Sequence, residues 1–488
     1  MNALMIQGTA SGVGKSLLTA GLCRLLARSG VKVAPFKPQN MSNASSACPS
    51  GGEIGRAQAL QAFASGIEPT VDMNPVLIKP EADNVAQLVV CGEVRGKLMA
   101  GRFKEDRGKL MPEVLAAFDR LRHSHDWVVV EGAGSPAEPN LREGDIANMG
   151  FARAAGIPVW LVGDIDRGGV FAALLGTMTA LEAEDRRLVE AMIVNRFRGE
   201  ASLLGDVFQW LETRAGTPVL GWLPYFQDLG LPEEDTPYTG MDRSRRAANP
   251  GDGLKLRVAG IHYPRASNTT DLDPFLHDPR VDFAWLRDPS ELTGPHGWDL
   301  VVLPGSKSTS ADLAWLRERG WTPALERHLR YGGCLLGICG GAQMLGRRIL
   351  DPREIEGPAE TEGLAWLPIE TEMQPDKRVH PLTARAKWPA DLPFTGYEIR
   401  HGRSSEDPDL FPFFARSNDG RILGTFIHGL FDDGKYRGAV LESWLNWTSS
   451  SEEHVTARWI RDLDRIADAM VENLNLSLLA GRIGISLG

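Results

Sequence analysis

A cysteine flanked by small residues stands in Gly337-Ile338-Cys339-Gly340-Gly341-Ala342-Gln343, directly after the apolar run Cys334–Gly337. A strand that turns sharply into a helix needs small neighbours at the turn, and a thiol held there is presented as a nucleophile at the positive end of the helix. Such a thiol requires a base and donors for an oxyanion. His428 closes the apolar run Ile422–Ile427 and precedes Gly429, the place for a base that folds back onto the thiol. The expected oxyanion donors are the backbone N–H of Gly340 and that of Gly305, in Leu303-Pro304-Gly305-Ser306-Lys307-Ser308. Cys334, inside the strand, reads as a core residue.

A second chemical signature opens the chain. Gly8-Thr9-Ala10-Ser11-Gly12-Val13-Gly14-Lys15-Ser16 lies between an apolar strand and an apolar helix. In that context Gly12 and Gly14 let backbone N–H groups turn onto phosphate oxygens. Lys15 would neutralise the β- and γ-phosphates, and Ser16 would offer its hydroxyl to Mg²⁺. ATP and Mg²⁺ are the expected cofactors. The usual first glycine of such a loop falls here on Thr9, a variant that resembles the loop of dethiobiotin synthetase. Glu131, ending Trp127–Glu131, is the expected second Mg²⁺ ligand, because ligands collect at the carboxyl ends of parallel strands. Asp164 and Asp166 follow the next strand and could reach metal or substrate. Asn195, ending Ala191–Asn195, resembles in its placement the adenine-reading Asn of nucleotide-dependent ligases of this type. Gln39, Asn40, Asn43 and Arg56, after the second strand, are candidate substrate contacts.

These residues need two scaffolds. The first half alternates β-rich runs (Leu4–Gln7, Val31–Phe36, Trp127–Glu131, Val159–Gly163, Ala191–Asn195, Val219–Leu223) with helical patterns such as Leu17–Ala27, which calls for a mostly parallel sheet. A Pro-, Gly- and charge-rich stretch follows. A second alternating pattern then runs through Leu256–Ile261, Leu300–Leu303, Cys334–Ile338 and Ile422–Ile427. The expected organisation is a phosphate-loop domain over 1–235, a linker over 236–253, a nucleophile-bearing α/β domain over 254–447 and a C-terminal helical segment over 448–488. The 488 residues carry 53 basic and 63 acidic side chains, a net charge of −10 that argues against a nucleic-acid surface. The five cysteines show no paired CxxC spacing, which fits a reducing, cytoplasmic setting, and no apolar run is long enough for a membrane span.

Gln7–Ser16, Phe36–Asn43 (FKPQNMSN), GEIGRAQ, Glu131–Gly134, Gly163–Phe171 (GDIDRGGVF), Asn195–Gly199, Leu303–Ser308, Gly337–Gln343 and Ile460–Leu479 together resemble the glutamine-hydrolysing cobyrinate and cobyrate amidases of cobalamin synthesis. FKPQNMSN and GDIDRGGVF point to the cobyrate branch. The resemblance implies a dethiobiotin-synthetase-like phosphate-loop domain followed by a class I-type glutamine amidotransferase domain. Glutamine would be the nitrogen source. The corrinoid adenosylcobyrinic acid a,c-diamide would be the substrate, amidated on its b, d, e and g carboxylates. A class I enzyme commonly carries Glu two residues after the histidine; Leu430 stands there, as in the cobyrate branch, and Glu398 is the candidate acid for orienting His428. Where the family often reads Gly-Tyr-Glu-Ile-His, Arg400 occupies the histidine position and His401 follows. The sibling a,c-diamide synthase remains an alternative, as does a partitioning-type switch ATPase, which would leave Cys339 and His428 without a task.

Overall fold

A computed structural model describes residues 2–82, 85–99, 107–232, 255–293, 297–405, 407–448 and 452–486. The expected linker, 236–253, lies outside the described residues. Two compact units form: Met1–Ser42, Cys48–Asp235 and Trp459–Gly488 in the first, and Asn43–Ala47 with Thr236–Arg458 in the second.

The first unit is built on a six-stranded parallel sheet in the order Val219–Pro224, Val189–Phe197, Val159–Asp164, Ala3–Gly8, Trp127–Glu131, Val33–Phe36. Ala3–Gly8, Trp127–Glu131 and Val159–Asp164 are buried along their whole length, as strands covered by helices on both faces must be. Their hydrophobic runs were therefore readable. A meander of Val76–Ala82, Val85–Val90 and Glu93–Met99, joined to Gln39–Met41, forms a second sheet. Glu93–Met99 is mostly exposed, so it shows no apolar period from which a strand could be read.

The helix Val455–Asn473 presents Leu463, Ile466, Ala467 and Met470 to the helix Lys15–Arg28, where they share a core with Leu18, Leu22 and Leu26. Arg24 pairs with Asp464 at 2.7 Å along this contact. From Trp459 onward the closing segment thus belongs to the phosphate-loop unit.

In the second unit the strand order is Val281–Leu286, Leu256–Ile261, Leu300–Leu303, Cys334–Ile338, Ile422–Thr425, Ala415–Arg416, parallel except for the last pair. Cys334–Ile338 is central and wholly buried. The long strands Glu370–Arg385 and Pro393–Ser404 pair antiparallel in a separate sheet. Glu370–Arg385 is largely half-buried or exposed, which hid it from the hydrophobic pattern. Among the described residues no helix is long and apolar enough to cross a membrane.

Candidate functional site

The cysteine elbow grows out of the central strand. Cys339 N–H still donates to Thr425 O at 2.8 Å, continuing the ladder with the neighbouring strand, and Cys339 O then accepts from Gln343 N at 3.1 Å as the helix Gly340–Leu345 begins. Between these two bonds the chain takes φ 51 and ψ −109 at Cys339, a conformation that costs a non-glycine residue of order 1–3 kcal/mol. The next residue has to be glycine for space: a Cβ at Gly340 would lie 2.7 Å from Ser306 N. That proximity also places the backbone of Gly305 and Ser306 beside Gly340. The Gly305 loop is held by Ser306 Oγ donating to Asp312 Oδ2 at 2.6 Å and by the Tyr263 hydroxyl donating to Pro304 O. Burial pushes the Asp312 carboxyl up to about 6. Cys339 itself is 8% exposed, more enclosed than an open elbow implies.

His428 reaches the thiol. The Cys339 side chain is close enough to raise the imidazole pKa, and its Sγ lies 3.8 Å from Ile399 O. The ring is placed by Tyr397, which exchanges backbone hydrogen bonds with His428 at 3.0 and 2.9 Å and stacks on it with centroids 5.3 Å apart. Its orienting acid is Asp271: Nδ1 lies 2.7 Å from Asp271 Oδ2, and Asp271 Oδ1 accepts from Gly429 N at 2.8 Å. Burial alone would lower the imidazole, but the Asp271 carboxylate, with help from Cys339, outweighs it and raises His428 to about 10.

Glu398, the acid expected from sequence, is engaged elsewhere. It pairs with Arg400 at 2.6 Å, His380 at 3.2 Å and Arg378 at 3.4 Å. Strand alternation explains the miss: Tyr397 faces His428, so Glu398 points to the opposite side. Arg400 lies over the rings of Phe426 and Phe414. Asp271 sits in the turn Thr269–Leu272, beyond the carboxyl end of the strand Leu256–Ile261. The polar run Ser267-Asn268-Thr269-Thr270-Asp271 after an apolar strand was its only visible signal.

The phosphate loop forms in the first unit between Ala3–Gly8 and Lys15–Arg28. Gly14 takes φ 98, and a Cβ there would sit 2.2 Å from Asn195 Nδ2, so both conformation and space demand glycine. Lys15 Nζ donates to Ala10 O at 3.0 Å and Gly134 O at 2.8 Å, holding its charge over the loop. Ser16 Oγ donates to Glu131 Oε1 at 2.7 Å. Glu131 is buried and receives Lys37 Nζ at 2.9 Å and Gln61 Nε2 at 2.6 Å, with Gln58 Nε2 at 3.4 Å. Burial would raise this carboxyl, but Lys37 and the hydrogen bonds from Ser16 and Gln61 leave it lowered. Lys37, Gln58 and Gln61 were missed as site residues, although Lys37 follows the second strand directly.

The remaining expected residues fall into different settings. Asn195 gives its amide N–H to Val13 O at 2.8 Å, bracing the loop. Asp164 pairs with Arg196 at 2.8 Å and Asp166 with Arg198 at 2.8 Å. Asn40 is buried and donates to Gln58 Oε1 at 3.0 Å, Arg56 lies over the Trp459 ring, and the buried oxygens Gln39 Oε1 and Asn43 Oδ1 have no hydrogen-bond partner among the described residues. Asn43 counts with the second unit.

Residues 257–436 match the CobB/CobQ-like glutamine amidotransferase domain, and residues 4–238 match the CobQ/CobB/MinD/ParA nucleotide binding domain. The class is therefore a glutamine amidotransferase domain carried with a nucleotide-binding domain. The cobyric acid synthase of Halorhodospira halophila is 54% identical, covering 96% of this chain and 95% of its own. Those of Cereibacter sphaeroides and Paracoccus denitrificans are 47% and 48% identical, each covering 98% of this chain and 98% and 99% of their own. The chain belongs to the cobyric acid synthase family.

Proposed function

We propose that the second unit releases ammonia from glutamine at Cys339, and that the first uses ATP to activate corrinoid carboxylates for amidation. The observation that carries this reading is the Cys339–His428–Asp271 arrangement at a strand-to-helix elbow. Asp271 takes the Nδ1 hydrogen of His428 and leaves Nε2 to exchange a proton with the thiol. Cys339 Sγ attacks the glutamine amide carbon while its proton passes to Nε2. The carbonyl electrons move onto oxygen, where the backbone N–H of Gly340 and the Gly305 loop receive them. Collapse of this adduct breaks the C–N bond, and His428 returns the proton to the departing ammonia. Water, deprotonated by His428, then cleaves the thioester to glutamate.

A carboxylate is a poor electrophile. Transfer of the γ-phosphoryl group to one of its oxygens gives an acyl phosphate and ADP, and ammonia displaces phosphate to form the amide. Lys15 and the loop N–H groups would hold the phosphates. The Ser16 hydroxyl and Glu131 carboxylate form a hard-oxygen pair suited to Mg²⁺, with Lys37 sharing the carboxylate. The ion, when bound, supplies charge neutralisation at the β- and γ-phosphates.

The corrinoid is adenosylcobyrinic acid a,c-diamide, amidated at b, d, e and g to adenosylcobyric acid, with Gln39, Asn40, Asn43 and Arg56 as contacts. Incubation of purified protein with glutamine, ATP and each corrinoid tests this. Turnover of the a,c-diamide is expected; turnover of unamidated cobyrinic acid alone would overturn the substrate assignment.

A further inference from the structure

His428 has two ring nitrogens, and Asp271 accounts for only one of them. At the other, Nε2, stands Asn268, whose side-chain amide nitrogen is 3.4 Å away. The far end of Asn268 decides how this amide points. Its Oδ1 lies 3.1 Å from the backbone nitrogen of Ser45, whose N–H can only donate, so the oxygen faces Ser45 and the NH₂ faces His428. Asn268 is buried and takes a left-handed backbone with φ 51 and ψ 40, a conformation that Asn and Asp tolerate better than most residues.

An NH₂ group facing Nε2 can donate to the lone pair of a neutral imidazole. It cannot accept from the N–H of an imidazolium. Held this way, Asn268 works against the protonated ring that Asp271 favours, and so opposes the proton transfer with which catalysis begins.

The residue that holds it comes from a distant part of the sequence. Asn43–Ala47 counts with the second unit, whereas the chain on either side, Met1–Ser42 and Cys48–Asp235, counts with the first. Ala47 packs with Tyr397 and Ile399 in one small apolar cluster. Those are the residues whose ring stacks on His428 and whose carbonyl meets the Cys339 thiol. The segment therefore bears on the thiol and its base by way of Asn268, Tyr397 and Ile399. At its start, Asn43 Oδ1 is a buried acceptor without a partner among the described residues, which is destabilising until a donor arrives. A corrinoid that already carries carboxamide groups brings such donors.

We infer that Asn268 is a positioning residue for His428, and that Asn43–Ala47, through Ser45, holds it in the restraining orientation until corrinoid bound at Asn43 draws the segment away. This rests on the glutaminase reading of Cys339 and His428 given above. Glutamine hydrolysis would then wait for the substrate that consumes its ammonia.

Asn268→Asp tests the inference, because it keeps shape and backbone preference while replacing the NH₂ with an acceptor that favours imidazolium. Glutamine hydrolysis by the full chain is measured without corrinoid and ATP and again with both, beside ammonia-driven amidation. The substrate-free rate is expected to rise about tenfold, as an added charge-assisted hydrogen bond allows, so that stimulation by substrate largely disappears. A substrate-free rate that stays unchanged, or two rates that fall by a common factor, would overturn the inference. If the variant also loses ammonia-driven amidation and so has misfolded, Ala47→Leu decides. It crowds the segment off Tyr397 and Ile399 with Asn268 intact, and the same rise is expected; no rise would overturn the inference. Wild-type protein that hydrolyses no glutamine under either condition would instead remove the glutaminase reading itself.

Discussion

The phosphate loop and the cysteine elbow make the same demand on the backbone and meet it differently. Gly12 and Gly14 take φ of 71 and 98 with no side chain to strain. Cys339 takes φ 51 with a side chain, because the thiol itself is needed at the turn. A buried carboxylate stands behind each turn, and these also differ. Glu131 is ringed by the donors of Lys37, Ser16 and Gln61, so it gathers cationic and hydroxyl groups where phosphates would sit. Asp271 gives its two oxygens to His428 and to Gly429 N, so it fixes one base in one tautomer. A contiguous loop can be written into nine residues, whereas a nucleophile with its base must be assembled from separate strands.

Breaking the glycine side of this comparison should have the largest effect. Gly14→Ala puts a Cβ 2.2 Å from Asn195 Nδ2 at a left-handed φ. Amidation driven by either glutamine or ammonia should fall by about 10³-fold through lost phosphate positioning, while substrate-free glutamine hydrolysis persists. Steady-state assays with both nitrogen sources check this.

The two carboxylates are separated by Asp271→Asn, which should lower the rate of glutamine hydrolysis by about 10²-fold or more and leave ammonia-driven amidation unchanged. Its pH behaviour carries a sign. His428 is raised from 6.5 to about 10 because Asp271 outweighs burial, so the native protein gains stability that is full below pH 6.5 and lost as pH rises through about 10. Without the carboxylate, the high-pH limb of glutamine hydrolysis should move to lower pH, and the loss of stability on the alkaline side should flatten. A pH–rate profile with parallel urea unfolding reads both.

The smallest effect concerns strain. Cys339→Gly should be more stable than Cys339→Ala by about 1 kcal/mol, because glycine accepts φ 51 and ψ −109 without cost. Equal unfolding midpoints would show that the elbow stores no strain.

Much of this architecture was legible because buried parallel strands are written as apolar runs. Trp127–Glu131, Leu256–Ile261, Leu300–Leu303 and Cys334–Ile338 have the bounds expected from sequence. The phosphate loop and elbow were legible because small residues cluster where the backbone turns. The hairpin Glu370–Ser404 was not, since Glu370–Arg385 is largely exposed or half-buried and Pro393–Ser404 buries polar residues such as Glu398, Arg400 and His401, so neither strand shows a hydrophobic period. Asp271 was hidden for another reason. Its role depends on which loops meet above a sheet, and chain order places it 157 residues from the histidine it holds. The assignment of Asn43–Ala47 to the second unit was equally invisible, because nothing in five small polar and apolar residues marks the unit they join.

The central claim is that Cys339 supplies the nitrogen and the phosphate-loop unit spends it. The paired assay of Cys339→Ala with glutamine or with an ammonium salt, in the presence of ATP and the a,c-diamide corrinoid, tests this most directly. The account predicts no amide formed from glutamine and wild-type amidation from ammonium. Glutamine-driven amidation that survives in Cys339→Ala would contradict it.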